Sequence, residues 1–160
     1  MNIKFLKEQK CLSLLIARIL VGIVFVAHGI NKFQIGINTV AGLFSSVSIP
    51  SAQFFAWVVA FVEIFGGLFL IFGILSRFFA LIFSIILIVA IVKVKFSIGL
   101  IVPQAVSGVG MELELALLAG LLPILFQGGG RYSLETIIYP KFFKRKKLVS
   151  VVEQSNLFEK

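Results

Sequence analysis

The chain has 160 residues, 59% of them hydrophobic and 14% charged, with a mean hydropathy of +1.10. That balance excludes an ordinary soluble domain and leaves no stretch for a separate one. A formal charge of +8 does not point to nucleic acid, because the positive residues cluster beside apolar segments, where anionic lipid headgroups are the natural counterion. A single cysteine, Cys11, excludes an intramolecular disulfide and a C-x-x-C redox pair.

The expected architecture is all-α, a four-helix transmembrane bundle forming one integral membrane domain over residues 1–160. The N-terminus carries Lys4, Lys7 and Lys10 ahead of an apolar run, like a secretory signal. Arg18 interrupts that run, the run is long and no A-x-A site follows, so an uncleaved first span over 12–33 is expected. Residues 34–51, with Gly36, Gly42 and Pro50, read as a loop that has room for a short surface helix. The second span is placed at 52–75 and the third at 77–96. Residues 97–110 contain Pro103, Gly108 and Gly110 yet are apolar enough to dip into the bilayer edge. The fourth and shortest span covers 111–127. Each approaches the length a helix needs to cross about 30 Å of hydrocarbon. Gly128, Gly129 and Gly130 then end the helix, Ser133 is placed to cap a short interfacial helix from Leu134, and a basic tail fills the rest of 128–160. That helix would lay Leu134, Ile137, Ile138 and Phe142 along the interface.

Lysine and arginine placement sets orientation. The N-terminal lysines, Arg77 in the tight turn between spans two and three, and the tail residues Arg131, Lys141, Lys144, Arg145, Lys146, Lys147 and Lys160 outnumber Lys32, Lys93 and Lys95 on the other side. Both termini are therefore expected in the cytoplasm of a multi-pass protein of the bacterial inner (plasma) membrane. Arg77 and Arg131 take structural, lipid-facing roles.

Charges inside the spans are where function is sought, since each costs several kcal/mol unless paired or facing the bundle interior. Arg18, Gly22, Phe25, Gly29 and Lys32 share one face of the first helix, with His28 beside it. On the second, Ala56, Glu63, Gly66, Gly67 and Leu70 share another, and its small residues place Glu63 at a helix contact. Depth along the helices suggests an Arg18–Glu63 ion pair, which is either functional or simply neutralises two costly charges. Nearer the outer surface, His28, Asn31 and Lys32 meet the fourth span, where Glu112 shares a face with Ala116, Ala119 and Pro123 while Glu114 points away. Glu112 is the expected interior carboxylate. His28 and Glu112 are the candidate proton-handling pair, with Lys32, Asn31, Arg18 and Glu63 as substrate-binding candidates. The alternative is a hydrogen-bonded knot sealing the outer ends of the helices.

One histidine, one cysteine and no carboxylate cluster at ligand spacing argue against a zinc or two-metal site and against a bis-His haem within one chain, so no metal and no resident cofactor is expected. No Walker loop, dinucleotide fingerprint or nucleophile elbow occurs. Trp57 and Phe54 fit an interfacial belt.

The stretches RILVGIVFVAHGINK from Arg18 to Lys32, EIFGGLFLIFGILSR from Glu63 to Arg77, and the ending GGGRYSLE at Glu135 resemble the DoxX family of small bacterial membrane proteins. The likeness runs from about Leu12 to Glu135, its last motif being the most specific. Gly129 stands where the family commonly has proline and Glu135 where it has aspartate. The resemblance implies a four-helix membrane protein whose relatives are linked to thiosulfate:quinone oxidoreduction or membrane-bound oxidative-stress complexes, and it marks Arg18, His28, Lys32, Glu63, Glu112 and Arg131 as family positions. The resulting expectation is a redox-linked subunit that binds a quinone-like or small sulfur substrate in a polar intramembrane pocket, with electrons coming from elsewhere and a soluble redox enzyme as a candidate partner. The alternatives are a non-enzymatic scaffold that recruits such enzymes through its basic tail and, lower in rank, a small-solute transporter, which would need the chain to form a homo-oligomer.

Overall fold

The computed structural model describes the backbone of residues 3–96, 99–101 and 110–138, with side chains among these from Cys11 to Thr136. The N-terminal lysine side chains, Pro103, Gly108, the side chains of Ile137 and Ile138, and the basic residues from Lys141 to Lys160 lie outside what it describes. Every regular element among the described residues is helical: α1 Ile3–Ile35, α2 Ile37–Ser46, α3 Ala52–Phe72, α4 Ser76–Ala90, a π-helical turn Ile91–Lys95, α5 Glu112–Gln127 and α6 Leu134–Ile138. Three stretches are long and apolar enough to cross a membrane, Cys11–Ile35, Ala52–Phe72 and Ser76–Lys95. This is a membrane protein. α5, with 16 residues, falls short of that length.

Helix boundaries follow from local chemistry. Gly73, at φ 74°, lets α3 end in a Schellman turn, with Ile74 N–H donating to Phe69 O at 2.8 Å and Gly73 N–H to Leu70 O at 3.1 Å. Ser133 caps α6 as its spacing predicts, its Oγ accepting from Thr136 N–H at 3.3 Å. The loop before α3 holds the short helix α2, which buries Ile37, Val40 and Ala41 against Ala56 and Ala60.

α1 packs most extensively on α3, α4 on α5, and α5 also reaches α1. A Cβ added to Gly67 would lie 2.8 Å from Gly22 O, and one added to Gly22 would lie 2.8 Å from Gly67 O. The two backbones therefore touch, as small residues allow between membrane helices. The neighbouring side of α1 buries Leu14, Val21 and Phe25 against Phe83 and Leu87 of α4 and Leu117, Leu121 and Ile124 of α5. At its centre the Phe25 and Phe83 rings stack, with centroids 3.8 Å apart. Ile16, Leu20, Ile23, Phe65, Phe72, Ile85 and Val92 remain exposed, an apolar exterior suited to lipid and not to water.

Candidate functional site: two polar clusters at opposite ends of the helices

The Gly22–Gly67 contact fixes the antiparallel register of α1 and α3, and register decides which charges meet. Side chains on a helix lean toward its N-terminus. Lys32 therefore leans inward along α1, Glu63 leans along α3 toward the Lys32 end, and the two converge. Lys32 Nζ stands 2.5 Å from Glu63 Oε2, with Lys32 18% and Glu63 6% exposed. Arg18 leans the other way, and the expected Arg18–Glu63 pair does not form. Its guanidinium passes under Gly73 and donates from Nη2 to Tyr132 O at 3.1 Å.

Around Lys32 and Glu63 lies a wider set of ionisable groups. His28, exposed on α1, has Lys32, Glu114 and Lys95 as its charged neighbours. Lys95 reaches this end through the π-helical turn that extends α4, a local widening of the helix of the kind that often re-aims side chains at functional sites. The carboxylate of α5 that turns inward is Glu114, whose Oε2 is buried, whereas Glu112 is exposed. The expectation for Glu112 is thus corrected, for a packing reason. α5 buries its large residues Leu117, Leu121 and Ile124, and Glu114 continues that stripe one turn earlier. Ala116 and Ala119 face outward. Asn31 is exposed beside the cluster. Phe33 of α1 meets Trp57 and Phe61 of α3 edge-on at 5.8 and 5.4 Å, closing the aromatic side of this end.

At the other end, Arg18 is fully buried and Ser76 and Ser133 close around it. Ser133 Oγ donates to Gly130 O at 2.9 Å, and Glu135 N–H donates to Gly73 O at 3.2 Å, so the G-G-G-R-Y-S-L-E segment folds back onto the end of α3. Arg77, exposed, donates to Phe126 O at 3.2 Å at the end of α5. Arg131 is exposed. Ten residues of α1, about 15 Å of helix rise, separate Arg18 from His28, so no single small substrate is shared between them. A cavity of about 390 Å³ lies between α1 and α5 at the Arg18 end, lined by Ser13, Leu14, Ala17, Pro123 and Gln127. Among the described residues no three His, Cys, Asp or Glu side chains stand close enough to hold a metal.

The family model DoxX matches residues 13–96. The chain belongs to the DoxX family. The match takes in Arg18, His28, Lys32 and Glu63 but ends before α5 and the Arg131 motif. Among curated proteins, this DoxX chain is 36% identical over 131 residues to "Uncharacterized membrane protein Rv3486" of Mycobacterium tuberculosis (strain ATCC 25618 / H37Rv), covering 77% of the chain and 79% of that protein. It is 40% identical over 81 residues to "Putative oxidoreductase CatD" of Bacillus subtilis (strain 168), covering 51% of the chain and 58% of that protein, less than two thirds of its length. No solved structure matches.

Sequence reasoning missed three features of these clusters. Glu114 could have been found from the leucine stripe of α5, had the large residues been preferred over the small ones as the inner face. Lys95 could not, because a π-helical turn has no hydropathy signature. The acceptor for Arg18 is a backbone carbonyl, which any residue supplies.

Proposed function

We propose that this DoxX protein is a redox-linked membrane subunit whose Lys32 end binds a quinone-like or small sulfur substrate. The observation that carries the reading is the buried Lys32–Glu63 pair with His28, Glu114 and Lys95 gathered around it. Reduction of a quinone carbonyl needs a proton donor for each electron taken up, and a histidine with two lysines and the Glu114 carboxylate as its charged neighbours provides exchangeable protons and a way to replace them. Lys32 and Lys95 attract an anionic substrate or a developing oxyanion, and Asn31 at the rim offers a neutral hydrogen bond. Electrons come from a soluble redox enzyme docked on the membrane, and similarity to a protein whose name includes "oxidoreductase" agrees with that assignment.

The membrane arrangement that accompanies this reading is a four-helix bundle in the bacterial plasma membrane, both termini cytoplasmic, its basic tail held by anionic headgroups. α5, about 24 Å long, completes the crossing with Glu112 and Gln127 at its two ends and a locally thinned bilayer around it.

Trp57 is the single tryptophan of the chain and packs on Phe33, next to Lys32, so its fluorescence reports on the site directly. Titrating the full chain in non-ionic detergent with a short-tailed quinone should quench Trp57 saturably, and His28→Ala should weaken the apparent affinity several-fold. Absence of saturable quenching in the wild-type chain, or an affinity indifferent to His28→Ala, refutes the assignment.

A further inference from the structure

We propose that α2 is a lid over the Lys32–Glu63 pair and that the face of α3 beneath it is the path by which substrate enters, a proposal that rests on reading this end as the substrate site. Lys32 is 18% and Glu63 6% exposed, so a ligand reaches the pair itself only if something moves. α1 and α3 are held together by backbone contact, since a Cβ on Gly29 would lie 3.0 Å from Ala60 O. α4 and α5 are held to α1 by the main apolar core around Phe25, Phe83 and Leu121. α2 has neither attachment.

Its position follows from spacing on α3. Ala52, Ala56, Ala60 and Glu63 succeed one another at intervals of four, four and three residues, so they form one stripe, and all four are buried. Ile37, Val40 and Ala41 of α2 pack on Ala56 and Ala60, and Glu63 is the next residue of the stripe. On α1, residues 33–36 alone separate Lys32 from the start of α2. α2 therefore roofs a floor of alanine methyl groups that ends at the ion pair.

The roof is separable from the rest of the protein. Its buried residues form a small cluster of their own with Ala56, Ala60 and the half-buried Phe44, apart from the main core. Segments with few buried apolar contacts open locally without global unfolding. Both connections are suited to turning. Gly36, at φ 91°, is the single residue between α1 and α2, in a conformation that glycine adopts without steric cost. At the far end Ser48 and Ser51 have φ of 58° and 47°, left-handed values that are unfavourable for residues with a Cβ and that collect in switch segments. Gln53 Nε2 of α3 donates to Asn38 Oδ1 of α2 at 3.1 Å, an exposed link that water replaces at small cost when the lid lifts.

The test follows opening and entry separately, using the full chain in dodecyl maltoside with Cys11→Ser in every variant. Ala56→Cys and Ala60→Cys, beneath α2, should react with N-ethylmaleimide several-fold faster than Ala80→Cys, which is as deeply buried but belongs to the main core. Adding Gln53→Ala to Ala60→Cys should raise that rate further by removing the link to Asn38. Asn38→Cys with Gln53→Cys, joined by a short bismaleimide, should slow stopped-flow quenching of Trp57 by a short-tailed quinone several-fold relative to the same variant capped with N-ethylmaleimide. Thiols at positions 56 and 60 that react no faster than the one at 80 overturn the lid, whether or not quinone binds. A joined chain that quenches at the capped rate overturns the entry path. A wild-type chain without saturable quenching removes the substrate site and with it the lid's role, while the labelling rates still decide whether α2 opens.

Discussion

The two ends of α1 bury a cation each and compensate it differently. Lys32 meets a carboxylate across the α1–α3 contact, and the surrounding charges of both signs balance. Arg18 donates to one backbone carbonyl and lies under Gly73 at the C-terminal end of α3, with no carboxylate of a described residue paired to it. Lysine on a flexible stem can move toward headgroups if its partner is lost, but Arg18, wrapped by the chain reversal after α5, has no such exit. The contrast separates an end built to exchange protons and ligands from one built around a fixed charge.

Breaking the pair at the Lys32 end gives the largest expected effect. Glu63→Leu leaves Lys32 partly buried without a counter-charge and should lower stability by about 3 kcal/mol, the lower part of the range for severed buried pairs because Lys32 retains some exposure. The double variant Lys32→Met with Glu63→Leu should recover most of that loss, since two apolar groups of similar volume are well accommodated between helices. Unfolding in mixed detergent micelles measures both, and a double variant no more stable than Glu63→Leu alone contradicts the pairing. Next comes Gly67→Leu, which drives a side chain into the backbone of Gly22 and should cost about 2 kcal/mol by forcing α1 and α3 apart. Because register depends on that contact, Gly67→Leu should also lower quinone quenching of Trp57 although residue 67 lies a helical turn beyond Glu63. Ser133→Ala removes the α6 cap and the bond to Gly130 O, for about 1 kcal/mol. Its mark should be a loss of amide protection confined to 130–138, leaving the Lys32 end untouched.

How much of this was legible in the sequence depends on the physical term involved. The helices Ala52–Phe72 and Ser76–Ala90 fall within a few residues of their expected positions, because hydropathy over some twenty residues is a collective signal that no single side chain upsets. The cap at Ser133 and the glycine-terminated end of α5 were legible because turn chemistry is local. Pairings between helices were not. Depth measured from helix ends put Arg18 opposite Glu63, but a register set by the backbone contact of Gly22 with Gly67, combined with the N-terminal lean of every helical side chain, hands Glu63 to Lys32 and sends Arg18 to Gly73 and Tyr132. The inner face of α5 was misassigned by expecting small residues inside throughout. That rule holds where helices touch backbone to backbone, as α1 and α3 do, and fails where α5 fills a gap with leucine and isoleucine.

The smallest expected effect tests that last point most sharply. Glu112 is the first residue of α5 and is exposed, so Glu112→Gln should change stability by no more than about 0.5 kcal/mol, the loss of one carboxylate from the positive end of a helix dipole. Glu114→Gln alters a side chain whose Oε2 is buried against the cluster and which stands among the charged neighbours of His28. It should therefore weaken quinone binding several-fold while Glu112→Gln leaves binding at the wild-type value. A reversed order would mean that the alanine face of α5, and not its leucine face, turns toward α1 in the membrane, and the Lys32–Glu63 pair would then sit without its third carboxylate.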